Sequence, residues 1–452
     1  MTERLDSEVV VVGAGYAGLA AALALHATGR DVVVMEARDR VGGRVHTEQR
    51  DGVDLDLGGM WVGATHDRFR ELLERFALTT YPTPQDGRAG WWDEEAGRLR
   101  PYRLVPGKWT AAPAAAAAVA RIERLVRRVP SHASWQGSDA ERWDAVTVAD
   151  WLRRRVPNRQ ARAALDASLV TTFSVETSQV SMHTLFTTAA GEGGLLRMLG
   201  AEGGSQQDLV AGGADGAARR MAELLGARLH LSTPAREVRH DRHGVTVVSD
   251  DASWTAQHAV VALPPAHVAA LDWHPSLPGP RRQLLQRLPM GSVTKVLAVY
   301  DRPFWREAGW SGDAVDVHGP VTLGFDVSPP GGPPVLASLT CGRRSLELAE
   351  LPAEERQQRV LDAFVAWFGA EAATPLTVVD RSWENETWSG GGYSAVPVPG
   401  TATMRPGVLA EPLGRVHFAG TETAARSNGY IEGALASGER AAKEITSLLD
   451  AP

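Results

Sequence analysis

A glycine turn, a lysine inside an apolar run and two tyrosines beside glycines are the residues with chemistry in them. Gly13, Gly15 and Gly18 form G-x-G-x-x-G within "GAGYAG". The first permits a tight turn, the second lets a backbone approach a pyrophosphate, and the third lets a helix pack closely on a strand. A helix starting there offers free N–H groups and the positive end of its dipole to phosphate. Glu36 closes the following strand, placed to accept hydrogen bonds from ribose hydroxyls. Lys295 lies in "VTKVLAVY", where strand periodicity puts it on one face with Val293, Leu297 and Val299. Lysine on an apolar face is rare unless paired or functional, the alternative being an edge strand from which it snorkels. In "WSGGGYSAV", Gly390, Gly391 and Gly392 exclude side chains, so something must come close. Tyr393 follows them, and Tyr430 stands in "NGY". As ordinary core tyrosines both would need hydroxyl partners.

The elements that must position these residues are readable. "EVVVVGAGYAGLAAALALHATGRDVVVME" predicts a buried strand, a glycine turn, a helix stopped at Gly29, and a second buried strand ending at Glu36. "RLHLSTPAREVRHDRHGVTVVSD" and "AQHAVVALPP" alternate as β-ribbons do, with His240 and His243 in a solvated turn. "TVADWLRRRVPNRQARAALDASL" has a helical pattern, and "PSLPGP" and "SPPGGPP" are breakers. The run from Ala111 to Ala120 continues into "RIERLVRRV" as an amphipathic surface helix, and a last helix is expected over Gly433 to Leu449.

Composition narrows the function. A chain of 452 residues is too long for one ordinary core and predicts two domains. A net charge of −7 disfavours nucleic acid as the partner. Cys341 is the single cysteine, which rules out an intrachain disulfide and a thiolate metal cluster, and the histidines lack ligand spacing, so no metal is expected. Apolar runs are too short to span a bilayer, and Val9 to Val12 lead into the glycine motif rather than a cleavage site. A cytoplasmic protein with no membrane partner is the expectation. Oligomeric state is left open, a homodimer included.

After Glu36 come "ARDRVGGRVHT" and "GVDLDLGGMWVG", a second glycine pair with arginine that a simple dehydrogenase does not need. Here the chain resembles the FAD-dependent amine oxidase family, and most its soluble bacterial monoamine- and putrescine-oxidase-like members. The same likeness runs through "DLVAGGADGAARRMAELLGARLHLSTPAREV", "LPMGSVTKVLAVYDRPFW" and "HFAGTETAARSNGYIEGALASGERAA". It implies a mixed α/β fold of two domains. A Rossmann-like FAD domain would be assembled from 1–90, 205–275 and 385–452. A substrate domain of mixed sheet and helices would come from 91–204 and 276–384.

By the same resemblance Arg38 and Arg44 lie near the adenosine and phosphates, although Arg38 also reads as surface charge. Gly58, Gly59, Met60, Trp61 and Trp383 lie near the isoalloxazine, and the backbone of Val238 meets adenine. Gly420, Glu422, Gly429 and Ile431 belong to the closing FAD motif. The three glycines pass beside the flavin, Tyr393 and Tyr430 wall a slot for the amine, and Lys295 holds a water against the flavin. Thr171, Thr172, Leu199 and Gln206 line the substrate pocket or stand in loops outside it. Some relatives bond their flavin to a cysteine just before the tyrosine. Gly392 stands there and Cys341 is far along the chain, so the FAD is expected to be noncovalent.

The implied reaction is oxidative deamination of a small-molecule amine, with O2 reduced to hydrogen peroxide. An amino-acid oxidase is the nearest rival; it needs a guanidinium for the carboxylate, and Trp61 occupies the place after the methionine where one commonly stands. A lipid or tetrapyrrole desaturase would need neither the cage nor the lysine, and a silent flavin scaffold would not need Lys295, Tyr393 and Tyr430 intact. Which amine is used, and whether O2 or a protein carrier takes the electrons, the sequence leaves open.

Overall fold

A computed structural model describes all residues except 1–2, 103–110, 131–135, 137, 405–406 and 451–452. Val9 to Val12 are apolar on both sides, and the strand that holds them, Glu3–Val12, is correspondingly interior. It pairs in parallel with Val32–Met35 on one side and Ala252–Val261 on the other. Leu229–His230 extends the sheet beyond Val32–Met35, and Val416–Phe418 pairs with the end of Ala252–Val261. The antiparallel ribbon Glu237–His240 and Val245–Val248, with Asp272–His274, completes the eight strands. Between the ribbon's strands, Asp241 Oδ1 accepts from the backbone N–H of His243 and Gly244, the expected turn.

The helix Tyr16–Ala27 leaves the first strand through the glycine turn and is apolar nearly all round because it is covered twice. One side lies on the sheet, where a Cβ on Gly18 would stand 1.8 Å from the Gly13 carbonyl oxygen. The other meets the helix Ile431–Leu449, where a Cβ on Gly438 would stand 2.1 Å from the Ala17 carbonyl oxygen. The last helix thus begins two residues before the expected Gly433, with Tyr430 as its N-cap.

The second sheet has seven strands in the order Thr377–Ser382, Val293–Val299, Val335–Cys341, Leu323–Asp326, Trp310–Val315, Arg88–Asp93, Arg98–Pro101. A helical layer packs nearby on its own apolar core, including Ala111–Val126, Val148–Arg155, Arg159–Phe173 and Met182–Gly191. The single helical pattern expected over residues 147–169 is two helices. Pro157 lacks a backbone donor and disfavours helix at Val156, and the Asn158 side chain caps the second helix by accepting from Ala161 N at 2.9 Å. Among the described residues no helix is long and apolar enough to cross a membrane.

The glycine crossing of the first and last helices makes a specific prediction. Gly438→Ala puts a methyl against rigid backbone and should cost about 1–3 kcal/mol. It should lower the urea midpoint; a midpoint equal to that of the unchanged protein would contradict the crossing.

Candidate active site

A cavity of 1150 Å³ runs from the glycine turn to the second sheet. At its nucleotide end the helix Tyr16–Ala27 begins at Gly15 with no side-chain cap, so its first N–H groups face outward. A Cβ on Gly15 would meet only Gly43 Cα, at 3.8 Å, and would project into the space a phosphate needs. Glu36 is buried, accepting from Ala14 N at 2.7 Å through Oε2 and from Arg38 N at 3.0 Å through Oε1. Each oxygen keeps a lone pair for a hydroxyl. Arg38 lines the cavity but is not surface charge: it donates to Glu386 at 3.2 Å and Ser389 Oγ at 2.8 Å. Gly18 does not line the cavity and serves helix packing instead.

The Val238 side chain is fully buried in the core of the first sheet, on a strand paired through Val247 and Trp273 on its two sides. Thr233, Ala235 and Arg236, just before the strand begins, line the cavity. Alternation was legible there, but not where pairing starts.

Arg44 joins the motifs. Its Nη1 donates to Glu422 Oε1 at 2.6 Å and to the Tyr393 carbonyl at 2.8 Å, and Nη2 donates to Glu422 Oε2 at 3.1 Å. Glu422 also accepts from Ala395 N at 3.1 Å. Burial works to raise the Glu422 carboxyl, but the Arg44 guanidinium and backbone N–H donors, Ala395 among them, together hold the group below its ordinary value. Gly420, Glu422, Gly429 and Ile431 all line the cavity, as expected of the closing motif.

The glycine run answers mainly to protein. A Cβ on Gly391, at φ +137°, would stand 2.2 Å from the Gly291 carbonyl oxygen and 2.8 Å from Met290 Cβ. Gly392 N donates to that same carbonyl at 2.9 Å. Of the three glycines only Gly392 lines the cavity, so the close neighbour of Gly391 is the chain at Met290 and Gly291. Tyr393 and Tyr430 both line it, half-buried, and burial raises both phenols, with each tyrosine near other acidic groups. Cys341, distant in sequence, is not distant in space: its Sγ lies 3.4 Å from the Tyr393 hydroxyl. It does not line the cavity, and burial pushes its thiol up to about 12.

Lys295 sits on an interior strand, hydrogen-bonded on both sides, so the edge-strand alternative fails. Its expected face is the apolar cluster of Val293, Leu297 and Val299, with Leu339 and Trp383. Nζ donates to the Gly58 carbonyl at 3.1 Å and contacts Met60 Sδ at 2.8 Å. Burial lowers the ammonium, and Asp56, itself raised by burial, opposes that shift. Asp56 accepts from Thr47 Oγ1 at 2.6 Å and Ala214 N at 3.0 Å. Sequence reasoning passed it over, although it stands two residues before the Gly58, Gly59 pair.

Gly59, Met60, Trp61 and Trp383 line the same end; Trp383 Nε1 donates to the Leu57 carbonyl at 2.8 Å, and Trp61 stacks on Phe325 at 5.3 Å. Thr171, Thr172, Leu199 and Gln206 line the cavity rather than outside loops. The three polar ones each give a donor to the chain: Thr171 and Thr172 donate to the carbonyls of Ala167 and Ser168, and Gln206 to that of Met198. Behind Tyr430 lies a buried pair that no spacing announced. His66 stacks on Tyr430 at 5.1 Å and accepts from Gly63 N at Nδ1, which leaves its proton on Nε2, 3.3 Å from Glu192. Ser205 Oγ also donates to Glu192.

A phosphate cradle, an acid for ribose and a buried lysine at the far end of one continuous cavity define a dinucleotide-dependent oxidoreductase. The chain belongs to the flavin containing amine oxidoreductase family, whose sequence model matches residues 16–446. AofH of Mycobacterium tuberculosis, provisionally named a flavin-containing monoamine oxidase, is 40% identical over 449 residues, spanning 98% of this chain and 97% of its own. Cyclohexylamine oxidase from Brevibacterium oxydans IH-35A superposes with a TM-score of 0.93 at 31% identity, over 99% of this chain and 100% of its own. A putrescine oxidase bound to putrescine gives 0.92 at 29% identity, over 98% and 100%.

The buried Arg44–Glu422 pair sets a prediction with a sign. A carboxyl held below its ordinary value adds stability that is present above the unfolded-state pKa and lost as pH falls through the folded one. Arg44→Met should cost about 3–5 kcal/mol at neutral pH and reverse that slope, because Glu422 is then buried alone and gains from protonation. Urea midpoints measured from neutral to mildly acidic pH should diverge in this way; parallel profiles would exclude the pair as the cause.

Proposed function

We propose that the chain is an FAD-dependent oxidase that oxidatively deaminates an amine. The observation that carries this is Lys295, buried beside Gly58 and Met60 at the end of the cavity that begins at the phosphate cradle. Gly13, Gly15, Glu36, Arg38 and the segment from Gly420 to Ile431 would hold the FAD, and their uncapped amides and spare lone pairs suit its phosphates and ribose. The bound flavin supplies the redox chemistry: a hydride leaves the amine α-carbon, O2 becomes hydrogen peroxide, and the imine is hydrolysed to aldehyde or ketone.

The protein's own residues orient and exclude water. Tyr393 and Tyr430 present aromatic surface on which an amine is held with its α-C–H directed inward. His66 and Glu192 brace the Tyr430 ring from behind. Lys295 Nζ holds a proton loosened by burial and retained through Asp56, available for exchange with a water at this end. Thr171, Thr172 and Leu199 complete the pocket, the two hydroxyl protons being given to the helix that carries them.

Gly392 at the position before Tyr393, with Cys341 behind the tyrosine rather than in the cavity, supports noncovalent FAD. The same reading places the enzyme in the cytoplasm and divides it into a discontinuous FAD domain and a substrate domain. The strand Arg88–Asp93 belongs to the second sheet, which supports a first boundary in the turn before it.

Anaerobic mixing of the yellow protein with amines and with the matching amino acids tests the function. Bleaching by amines, with colour and peroxide on readmitting air, is expected. Bleaching by amino acids alone would give the site to the rival oxidase. Lys295→Met should slow turnover by about 10-fold or more, the range of a positioned proton-transfer group, while the flavin stays bound. Unchanged turnover would remove Lys295 from the mechanism.

A further inference from the structure

The sheet face that carries Lys295 continues as one row across four strands. Lys295 pairs with Leu339, Leu339 with Leu323, and Leu323 with Val315. Three strand spacings, about 14 Å, separate the ends of the row. All four residues line the cavity. So does Asp313, on the same strand as Val315. Between lysine and aspartate the row is apolar.

The neighbouring acids have structural duties. Asp316 Oδ1 accepts from the backbone of His318 and Gly319, and Asp326 is held by Trp305 Nε1 and Arg306. Asp313 has no such cation. Its Oδ2 accepts from Ser311 Oγ at 3.3 Å and, weakly, from Gln85 Nε2 at 3.5 Å. Among the described residues no lysine, arginine or histidine pairs with it, and Oδ1 takes none of these bonds. Burial raises the carboxyl to about 6, with Asp326 adding to the shift. A partly buried carboxylate facing a cavity gains most from a cation delivered into that cavity.

Resting on the amine-oxidase reading above, we propose that the substrate carries a second ammonium group remote from the reacting amine, and that Asp313 receives it. α,ω-Diamines and polyamines lay methylenes along the apolar row of Leu339 and Leu323 and present a second ammonium to Asp313. Asp313 is a specificity-determining residue, remote from the bond that breaks.

Steady-state kinetics of the holoenzyme with octylamine, diaminooctane, spermidine and putrescine tests this. The unchanged enzyme should favour diaminooctane over octylamine by about 10-fold or more in kcat/KM, mainly through KM, and the preference should shrink with added salt. Asp313→Asn should collapse that ratio. A wild-type enzyme with no preference, or an Asp313→Asn variant that keeps it, overturns the proposal while leaving amine oxidation intact. Failure to turn over any amine removes the underlying reading as well.

Discussion

Arg44 and Glu422 stand 378 positions apart and meet at 2.6 Å, and the reacting end of the cavity is built around that meeting. A planar guanidinium is suited to the task, since it grips both carboxylate oxygens and still has a donor for the Tyr393 carbonyl. Glu422 in turn fixes Ala395 through its backbone. One desolvated pair thereby sets the relative positions of the second glycine segment, the tyrosine loop and the closing motif. Such a pair is costly to leave half-made, so its value lies less in net stability than in allowing a single arrangement.

Lys295 illustrates the complementary constraint. A sheet strand buried on both faces leaves an ammonium nowhere to snorkel, so the polar atoms that receive it must be brought in from another part of the fold. Gly58 and Met60 supply them from the segment after the first sheet's opening unit, and Asp56 supplies the balancing charge. The nucleotide cradle and the lysine therefore meet in one cavity through the segment that carries Asp56, Gly58 and Met60.

Much of this was legible along the chain because it rests on local rules. Gly13, Gly15, Gly18 and Glu36 occupy one strand–helix–strand unit, and Lys295 announces itself by period alone. The failures were of tertiary origin. Val238 lies on a correctly read ribbon, yet the pairing of its two sides, which buries its side chain in the sheet core, shows in no pattern. The glycines of "WSGGGY" pointed to a close neighbour without naming it, and Gly291 contributes from a loop 100 positions earlier. Cys341 touches Tyr393, and His66 meets Glu192, only because separate elements converge. Asp313 looks like any acid in a strand until the fold sets it in the wall of the cavity that also holds Lys295.

The crossing of the first and last helices at Gly438 bears on how the molecule comes into being. Residues lining the cavity run from Val12 to Arg440, and the helix that closes it is the last in the described chain. Contacts so distant in sequence carry a large loop-closure cost and form late, and a growing chain exposes the glycine turn long before its covering helix has emerged. The cavity is therefore complete only once that helix has docked, and a flavin held there would mark chains whose first and last helices have met.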